Sequence, residues 1–397
     1  MKKKKKKSGF ARFKAFTRIW AVVYLLSLTI FELGLVLMDV LPPGWLVAAF
    51  IILGVLSILL FALLFFRSVK KAPKIFAMVL SCFLVFVFCF GSAYAMGTMS
   101  FMNKITNDTV NKNSVAVTEK PFTVYISGKD TYGNINKKSR SDVNMIVVVN
   151  PKVHKILMVS IPRDYQVTLS EHGDATDKIT HTGIYGIDTT VNAAEDLLDI
   201  KMNYYLMVNF STVVEFIDSI GGITVNSDYD FSANKRNENE VETETFHYVK
   251  GKNKLNGDEA LAFARERHAF TDGDVQRVKD QQKVFEAVVK KSTNSKTLLS
   301  KYPALLNSLG KYMRTNMSED EIKALIKMQL SEMPNWKMES YTLTGFDSYQ
   351  STYTGGSQEL YVMEPDEQSV EMAKTKIKEL KQEGYKKKGS NSDNSGN

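Results

Sequence analysis

The sequence predicts a mixed α/β fold, a central mixed β-sheet flanked by helices in α+β layers, preceded by three transmembrane helices. Three observations carry this expectation. The first 97 residues hold three apolar runs, roughly 19–40, 46–66 and 75–96, each with about the 20 residues a helix needs to cross a bilayer. Beyond them, runs rich in β-branched residues alternate with helical apolar periods, which argues for a layered α/β fold rather than a β-sandwich. Between Arg140 and Asp164 the stretch RSDVNMIVVVNPKVHKILMVSIPRD reads as two strands, 143–150 and 155–160, joined at the Asn150-Pro151-Lys152 break.

The apolar runs have too few polar faces for a soluble bundle. Glu32 and Asp39 lie in the first. Asp39 sits at the interface near Pro42-Pro43-Gly44, whereas Glu32 is costly in a bilayer and is expected to face a neighbouring span. Lys2 to Lys7, Arg12, Lys14 and Arg18 precede the first run, and Arg67, Lys70, Lys71 and Lys74 lie between the second and third, while the 41–45 turn has no Lys or Arg. The positive-inside rule places the N-terminus and the 67–74 loop in the cytoplasm, and three spans put the rest of the chain outside. The expected organisation is a basic cytoplasmic tail at 1–18, an anchor at 19–97, a tether at 98–120, an extracellular domain at 121–383 and a disordered tail at 384–397.

Charge follows the same division. Residues 1–97 hold 13 of the 51 Lys and Arg but 2 of the 43 Asp and Glu, so the remainder carries 38 basic against 41 acidic residues. The outer part is slightly acidic, and no nucleic-acid partner bound by a broadly basic surface is expected. The lysine run suits anionic lipid, with a DNA-binding tail as the weaker alternative. Both cysteines, Cys82 and Cys89, lie in the third run, so the outer part offers no disulfide framework and no Cys-based metal or nucleophile site.

The outer domain opens with a strand at 122–127 that runs into Gly128-Lys129-Asp130, a turn with a carboxylate at the strand end. The two strands after Arg140 are apolar along nearly their whole length, as in a sheet covered on both faces. A helix is expected at 188–199, with Val191, Ala194, Leu197 and Leu198 on one face, then a strand at 204–209. Ser211 is expected to cap the next helix, with Glu215 in support, and Gly221-Gly222 to end it. A short strand at 223–225 and a charged loop or ribbon at 228–250 follow. Asn256-Gly257-Asp258 opens a helix through about Ala264. Helices are expected at 275–290, 296–312 and 318–333, a strand at 336–343, a loop at 350–360 and a last helix at 366–382.

Charged residues collect at element ends. The hairpin sets Arg140 and Asp142 beside Arg163 and Asp164. A second cluster holds Arg265, Glu266, Arg267, Asp272, Asp274, Arg277 and Gln281. Arginines two apart share a side only on extended chain, so the helix must end near Ala264 if Arg265 and Arg267 serve one ligand. Arg277 and Gln281, four apart, share a helix face. Two carboxylates at strand ends, Asp130 and Asp142, suit Mg2+ (or Mn2+) held partly by phosphate oxygens and water. Guanidinium forks match phosphate oxygens bidentately, and several around a dication suit a diphosphate. Weak surface ion pairs are the competing account of each residue taken singly, and the clustering favours a site. No Walker A, G-x-S-x-G or H-E-x-x-H motif is present. Among the histidines only His181, beside Lys178, and His268, beside Arg267, invite a functional test.

The R-S-D and S-I-P-R-D hairpin, the D-K-I-T-H-T-G-I-Y-G segment, the N-F-S…I-D-S-I-G-G-I-T-V stretch and the R-E-R…D-G-D-V-Q-R-V-K-D-Q-Q segment resemble the LytR-CpsA-Psr family, best over 121–291. The three-span anchor is also similar to that of streptococcal members, without room for the extra domain some capsule-linked members carry. The resemblance implies an extracellular phosphotransferase of cell-wall assembly. Such enzymes move a glycopolymer (teichoic acid or capsule polysaccharide) with one phosphate from undecaprenyl pyrophosphate to the 6-hydroxyl of peptidoglycan N-acetylmuramic acid. It implies Asp130 and Asp142 as metal ligands, and Arg140, Arg163, Arg265, Arg267, Arg277 and Gln281 as pyrophosphate contacts. The family's common R-Q-Q is D-Q-Q here, with Asp280 before Gln281.

Phosphoryl transfer needs positioning and charge neutralisation more than covalent help, which agrees with Arg163, Arg265, Arg267 and Arg277 as catalytic groups. For the acceptor hydroxyl, Asp274 is the first choice of base and Asp164 the second. The polyprenyl tail needs an apolar cleft between sheet and helices, with Val147, Val149, Ile156, Leu197, Phe210 and Phe216 as candidates for its lining or for ordinary core. A membrane-bound regulator and a polyprenyl-pyrophosphate hydrolase are the competing functions.

Overall fold

The computed structural model describes residues 2–66, 68–105, 111–294 and 313–385. The chain divides into two units, 1–101 with 326–331, and 102–325 with 332–397. In the first, helices α1 (Lys2–Met38), α2 (Pro43–Phe65) and α3 (Lys71–Ile105) contain spans of 28, 23 and 27 residues that are long and apolar enough to cross a membrane. They pack through Tyr24, Leu28, Leu60, Leu64 and Phe88. Hydrogen bonds from Tyr24 to Ser57 (2.8 Å) and from Trp20 to Ser81 (2.9 Å) tie the helices together. The last carbonyls of α2 have no partner within the helix. Thr17, Arg18 and Lys74 donate to the Leu64 and Phe65 carbonyls instead.

The outer unit is built on a six-stranded mixed sheet. Its members are β1 (Phe122–Lys129), β2 (Ser141–Asn150), β3 (Lys155–Ile161), β6 (Tyr204–Asn209), β11 (Arg314–Thr315) and β12 (Lys337–Thr342), in the order β11-β6-β1-β2-β3-β12. The hairpin expected from the sequence is β2–β3, and β1 adds antiparallel to β2. β6 and β12 join β1 and β3 in parallel. Apolar residues alternate between two covered faces. Tyr125, Ile146, Val148, Leu157 and Val159 face α5 (Ile187–Leu198) and α10 (Glu367–Gln382). Ile126, Met145, Val147, Ile156 and Met158 face the other way, toward Phe285 and Val289 of α8 (Asp274–Ser292).

Smaller elements surround the sheet: the ribbons β4 (Gln166–Leu169) with β5 (Ala175–Lys178), β7 (Ile223–Ser227) with β10 (Gly251–Leu255), β8 (Phe231–Arg236) with β9 (Glu242–Tyr248), and β13 (Gly345–Ser351) with β14 (Glu359–Pro365). The remaining helices are α4 (Ile179–Tyr185), α6 (Phe210–Ser219), α7 (Gly257–Arg265) and α9 (Glu319–Glu332).

Four expectations change. The loop expected at 350–360 is the β13–β14 hairpin, so only 352–358 is turn. The cap of α6 is Asn209 rather than Ser211: its side chain accepts from Thr212 N–H, Thr212 answers to the Asn209 N–H, and β6 runs straight into the helix. The segment expected as a tether is helical through Ile105, and from 111 it packs on the outer unit, with Val117 buried and Asn111 donating to the Asn203 carbonyl (2.8 Å). Val147 and Ile156 belong to the sheet core and Leu197 packs on its opposite face. The helix expected at 296–312, Arg67 and the tail from 386 lie outside the described residues.

Candidate functional site

Where β1, β2 and β6 end, a cavity of about 570 Å3 opens between the sheet and helices α6, α7 and α8. One part of its wall is charged or polar: Asp130, Asp142, Arg163, Arg265, Arg267, Arg277 and Gln281 all line it, as do Lys129, Arg236, Glu238 and Glu240. Much of the rest is apolar. Along α8 the lining passes from Arg277 and Gln281 to Val284, Phe285 and Val288, a rise of about 16 Å. The strands carry the same gradient inward from their ends, through Val143 and Met145 on β2 and Val208 and Leu206 on β6. Phe210 and Phe216 also line the cavity, as expected from the sequence.

Local structure explains why each charged group points there. Gly128 pairs with Val143 and Lys129 with Ser141, so Asp142 is the extra residue of a β-bulge, a device that re-aims a side chain. Gly128 permits the close approach, since a Cβ there would stand 2.7 Å from the Val143 Cβ. Thr180 donates to Asp142 at 3.3 Å. Gly183 lets α4 lie directly on 139–141, where a Cβ would meet the Ser141 nitrogen at 2.8 Å. The loop after β1 is stapled by buried Lys129, which donates to the Ile135 (3.2 Å) and Lys137 (2.7 Å) carbonyls. Asn209 donates to the Gly133 carbonyl, and Ser211 accepts the Gly133 N–H.

α7 ends at Arg265 and Glu266 is extended, the geometry required for Arg265 and Arg267 to share a ligand. Glu266 accepts the N–H groups of Arg267, His268 and Ala269, which fixes the turn. Arg265 lies 4.1 Å over the Phe210 ring, and its Nη2 donates to both carboxylate oxygens of Glu240, from the β8–β9 tip, at 3.0 and 2.8 Å. Asp274 gathers three other arginines: Arg163 at 3.3 Å, Arg277 at 3.0 Å and Arg267 at 3.5 Å. Arg163 also reaches Asp142 (3.5 Å) and Asp164 (3.4 Å), and Asp164 is paired with Lys178 at 2.8 Å. The buried Nε atoms of Arg163 and Arg277 have no hydrogen-bond partner. Burial pulls the Arg277 pKa down despite Asp274. For Arg163 burial acts the same way, but Asp142, Asp274 and Asp164 outweigh it and raise the pKa.

Burial, and next the charge of Asp142, lift the Asp130 carboxyl above its ordinary pKa, and Glu240 adds to this. Two carboxylates held close enough to repel each other fit a divalent cation, which would relieve the repulsion. Among the described residues no group of three His, Cys, Asp or Glu forms a metal cluster. Such an ion would therefore take its remaining ligands from water and phosphate, a Mg2+-like arrangement.

Arg140 is exposed and does not line the cavity, yet it lies near enough to lower the Asp130 pKa. His181 is buried and bonded to Asp177 (2.7 Å), which also holds the backbone and hydroxyl of Thr354. The D-K-I-T-H-T-G segment is thus a brace, not a source of a catalytic imidazole. Asp280 faces away from the cavity beside Gln276 and Lys283. Sequence reasoning missed Lys129 and Glu240, and it placed Glu266 in the cluster without a role. Glu266 sits inside the R-E-R motif and was open to question, whereas nothing in the 228–250 sequence singles out Glu240.

Comparison with known proteins bears on these residues as a set. The LytR_cpsA_psr family profile matches residues 89–379. The chain is 33% identical over 245 residues to a Bacillus cereus protein named polyisoprenyl-teichoic acid–peptidoglycan teichoic acid transferase TagU, covering 58% of this chain and 76% of that one. It is 33% identical over 319 residues to biofilm regulatory protein A of Streptococcus mutans, covering 73% of each. The crystal structure of B. subtilis TagV superposes with a TM-score of 0.54 at 28% identity, over 66% of this chain and 97% of that one.

Proposed function

The chain belongs to the LytR_cpsA_psr family, and from that premise we propose that it is a membrane-anchored transferase that attaches a glycopolymer to peptidoglycan. The donor is the polymer on a polyprenyl diphosphate, undecaprenyl in chain length, and the acceptor is the 6-hydroxyl of N-acetylmuramic acid. The outer unit works on the extracellular face. One observation carries the reading: a cavity lined by five arginines and four carboxylates, Asp130 and Asp142 among them, and by a long apolar stretch. That shape matches a lipid tail with a diphosphate head. The name of the similar TagU protein points to the same chemistry.

Arg163, Arg265, Arg267 and Arg277 bind the diphosphate and hold the reacting phosphorus in line with the acceptor oxygen. Gln281, which donates to the Ala264 carbonyl at 3.4 Å, fixes the α7–α8 side of that pocket. Arg140, just before β2, adds its charge near Asp130 as a further contact for the diphosphate. Asp130 and Asp142 would hold Mg2+, which when bound neutralises phosphate charge. As the diphosphate takes over the guanidinium groups, Asp274 loses partners and is freed to accept the hydroxyl proton. The acceptor oxygen bonds to the polymer-bearing phosphorus, the bond from that phosphorus to the bridging oxygen breaks, and polyprenyl phosphate leaves.

Lipid extracted from the purified full-length chain should contain polyprenyl phosphate or diphosphate by mass spectrometry. A preparation free of polyprenyl lipid that also fails to bind geranylgeranyl diphosphate would overturn the reading. So would protease protection showing 121–385 on the cytoplasmic side. Release of free polymer despite the presence of peptidoglycan would make the enzyme a hydrolase.

A further inference from the structure

The exposed aromatic rings of the outer unit are unevenly placed. Tyr185, Phe346, Tyr349 and Tyr353 are 37, 63, 69 and 47% exposed. All four lie on α4 or on the β13–β14 hairpin and its turn, which flank the β4–β5 ribbon, but Phe346 and Tyr349 stand on opposite faces of the hairpin by register, and the face considered is that of Tyr349. Among the described residues of this unit, Tyr229 and Tyr385 are the other exposed aromatic rings. Two ring groups form. Tyr349 stands directly across from Tyr361, with centroids 5.9 Å apart. His172, Tyr185 and Tyr353 pack together at 4.9 to 5.6 Å.

Both groups are tied to β5, which leads to the charged end of the cavity. The Tyr353 N–H donates to the Thr176 carbonyl at 2.9 Å. Lys178 places its ammonium 5.6 Å from the Tyr361 ring while pairing with Asp164, the neighbour of Arg163. After burial and its bond to Asp347, the charges of Asp164 and Asp274 help raise the Tyr361 pKa, which places this phenol within electrostatic reach of the reacting end. The turn that carries Tyr353 is fixed by buried Asp177 through Thr354, and Tyr185 is bonded to the Thr354 hydroxyl (2.8 Å). The rings are therefore held rather than merely exposed.

We infer that this aromatic face is the binding subsite for the sugar backbone of the acceptor, a chain of N-acetylated aminosugars, running from Arg163 along the β13–β14 hairpin and α4. The inference rests on the transferase reading and adds the location of the acceptor. Tyrosine offers a flat apolar face for the C–H side of a pyranose and for an acetyl methyl, with a hydroxyl for polar contacts. Exposed apolar patches of this kind mark binding surfaces. Charge selects between the two saccharides. Asp347 and Glu359 share the Tyr349–Tyr361 face of the hairpin by register, and Glu171 and Asp174 border His172. These carboxylates repel a polyphosphate donor chain but hydrogen-bond the hydroxyl and amide groups of an uncharged sugar backbone.

The test uses the full chain in nanodiscs and three probes: an N-acetylglucosamine tetramer, a glycerol-phosphate polymer and geranylgeranyl diphosphate. Saturation-transfer NMR should show the tetramer's acetyl methyl and ring protons in contact with the wild type. The Tyr349→Ala/Tyr353→Ala double variant should bind the tetramer about ten-fold more weakly with unchanged diphosphate binding. Equal tetramer binding by variant and wild type overturns the inference. No tetramer binding by a wild type that binds the diphosphate also overturns it and leaves the transferase reading standing. Selective loss of the glycerol-phosphate polymer in the variant would assign the face to the donor and refute the acceptor assignment. Failure of diphosphate binding with the tetramer result intact would sink the transferase reading and, with it, the assignment of the bound sugar as acceptor.

Discussion

Asp280 occupies the position where the family commonly has arginine, and its burial makes a measurable claim on stability. The side chain is 1% exposed. Its Oδ1 accepts from Gln276 at 3.0 Å and from Lys283 at 3.3 Å, while Oδ2 has no partner. Lys283 is shared with Asp228 at 2.5 Å, so its charge is divided. Burial pushes the Asp280 carboxyl from its ordinary 3.8 up to about 6, against the pull of Lys283 and Gln276. In the unfolded chain the group ionises near 3.8, and in the fold it holds its proton until about 6. Folding therefore costs nothing extra below the lower value, and stability falls as pH rises through the interval, levelling above 6. The interval corresponds to about 3 kcal/mol. Asp280→Asn keeps the Gln276 bond and removes the ionisation. At pH 8 it should raise the melting temperature of the outer unit by roughly 6–10 °C, and the gain should vanish by pH 4. Scanning calorimetry of the solubilised chain at both pH values measures this. An Asn variant no more stable than wild type at pH 8, or one that keeps the wild-type pH slope, refutes the reasoning.

Arg163→Ala and Asp142→Ala should each cut transfer by roughly 10² or more while leaving circular dichroism and melting unchanged, and full activity in either would remove these residues from the site. Glu240→Ala should tighten geranylgeranyl diphosphate binding roughly two- to five-fold, because it frees Arg265 from a half-exposed ion pair; weaker binding would show that Glu240 helps to hold the substrate. Chelation should abolish transfer and added Mg2+ restore it. The Mg2+ requirement should steepen as pH falls through the raised range of Asp130, and a wild type indifferent to chelator at any pH would refute the ligand assignment.

The sheet was legible because its strands declare themselves in β-branched runs. The β2–β3 hairpin, β1, β6 and α5 fall within a few residues of expectation. Spacing alone showed that α7 had to stop near Ala264 for the arginines to converge. Elements without an apolar period were harder. β13 is largely exposed and β14 is half-buried with Val362 alone fully buried, so their sequence alternates weakly and reads as loop. Partners were hidden for a related reason. Asp274 as the hub of Arg163, Arg267 and Arg277 depends on where the turn between α7 and α8 folds, and the grip of Glu240 on Arg265 depends on a ribbon tip whose direction no local pattern sets.

The sheet also fixes the order in which the domain can close. The central hairpin emerges early, but the open edge of β3 is paired only when residues 337–342 arrive. Asn150, at the hairpin's turn, waits longer still: its amide donates to the carbonyls of Leu380 (2.7 Å) and Glu383 (3.0 Å) at the end of α10. A strand of sequence KILMVSI left unpaired is an aggregation hazard. Such non-local pairings form slowly. The domain thus keeps its most aggregation-prone edge bare until β12 is made, and the turn of its central hairpin is secured only by the C-terminal helix.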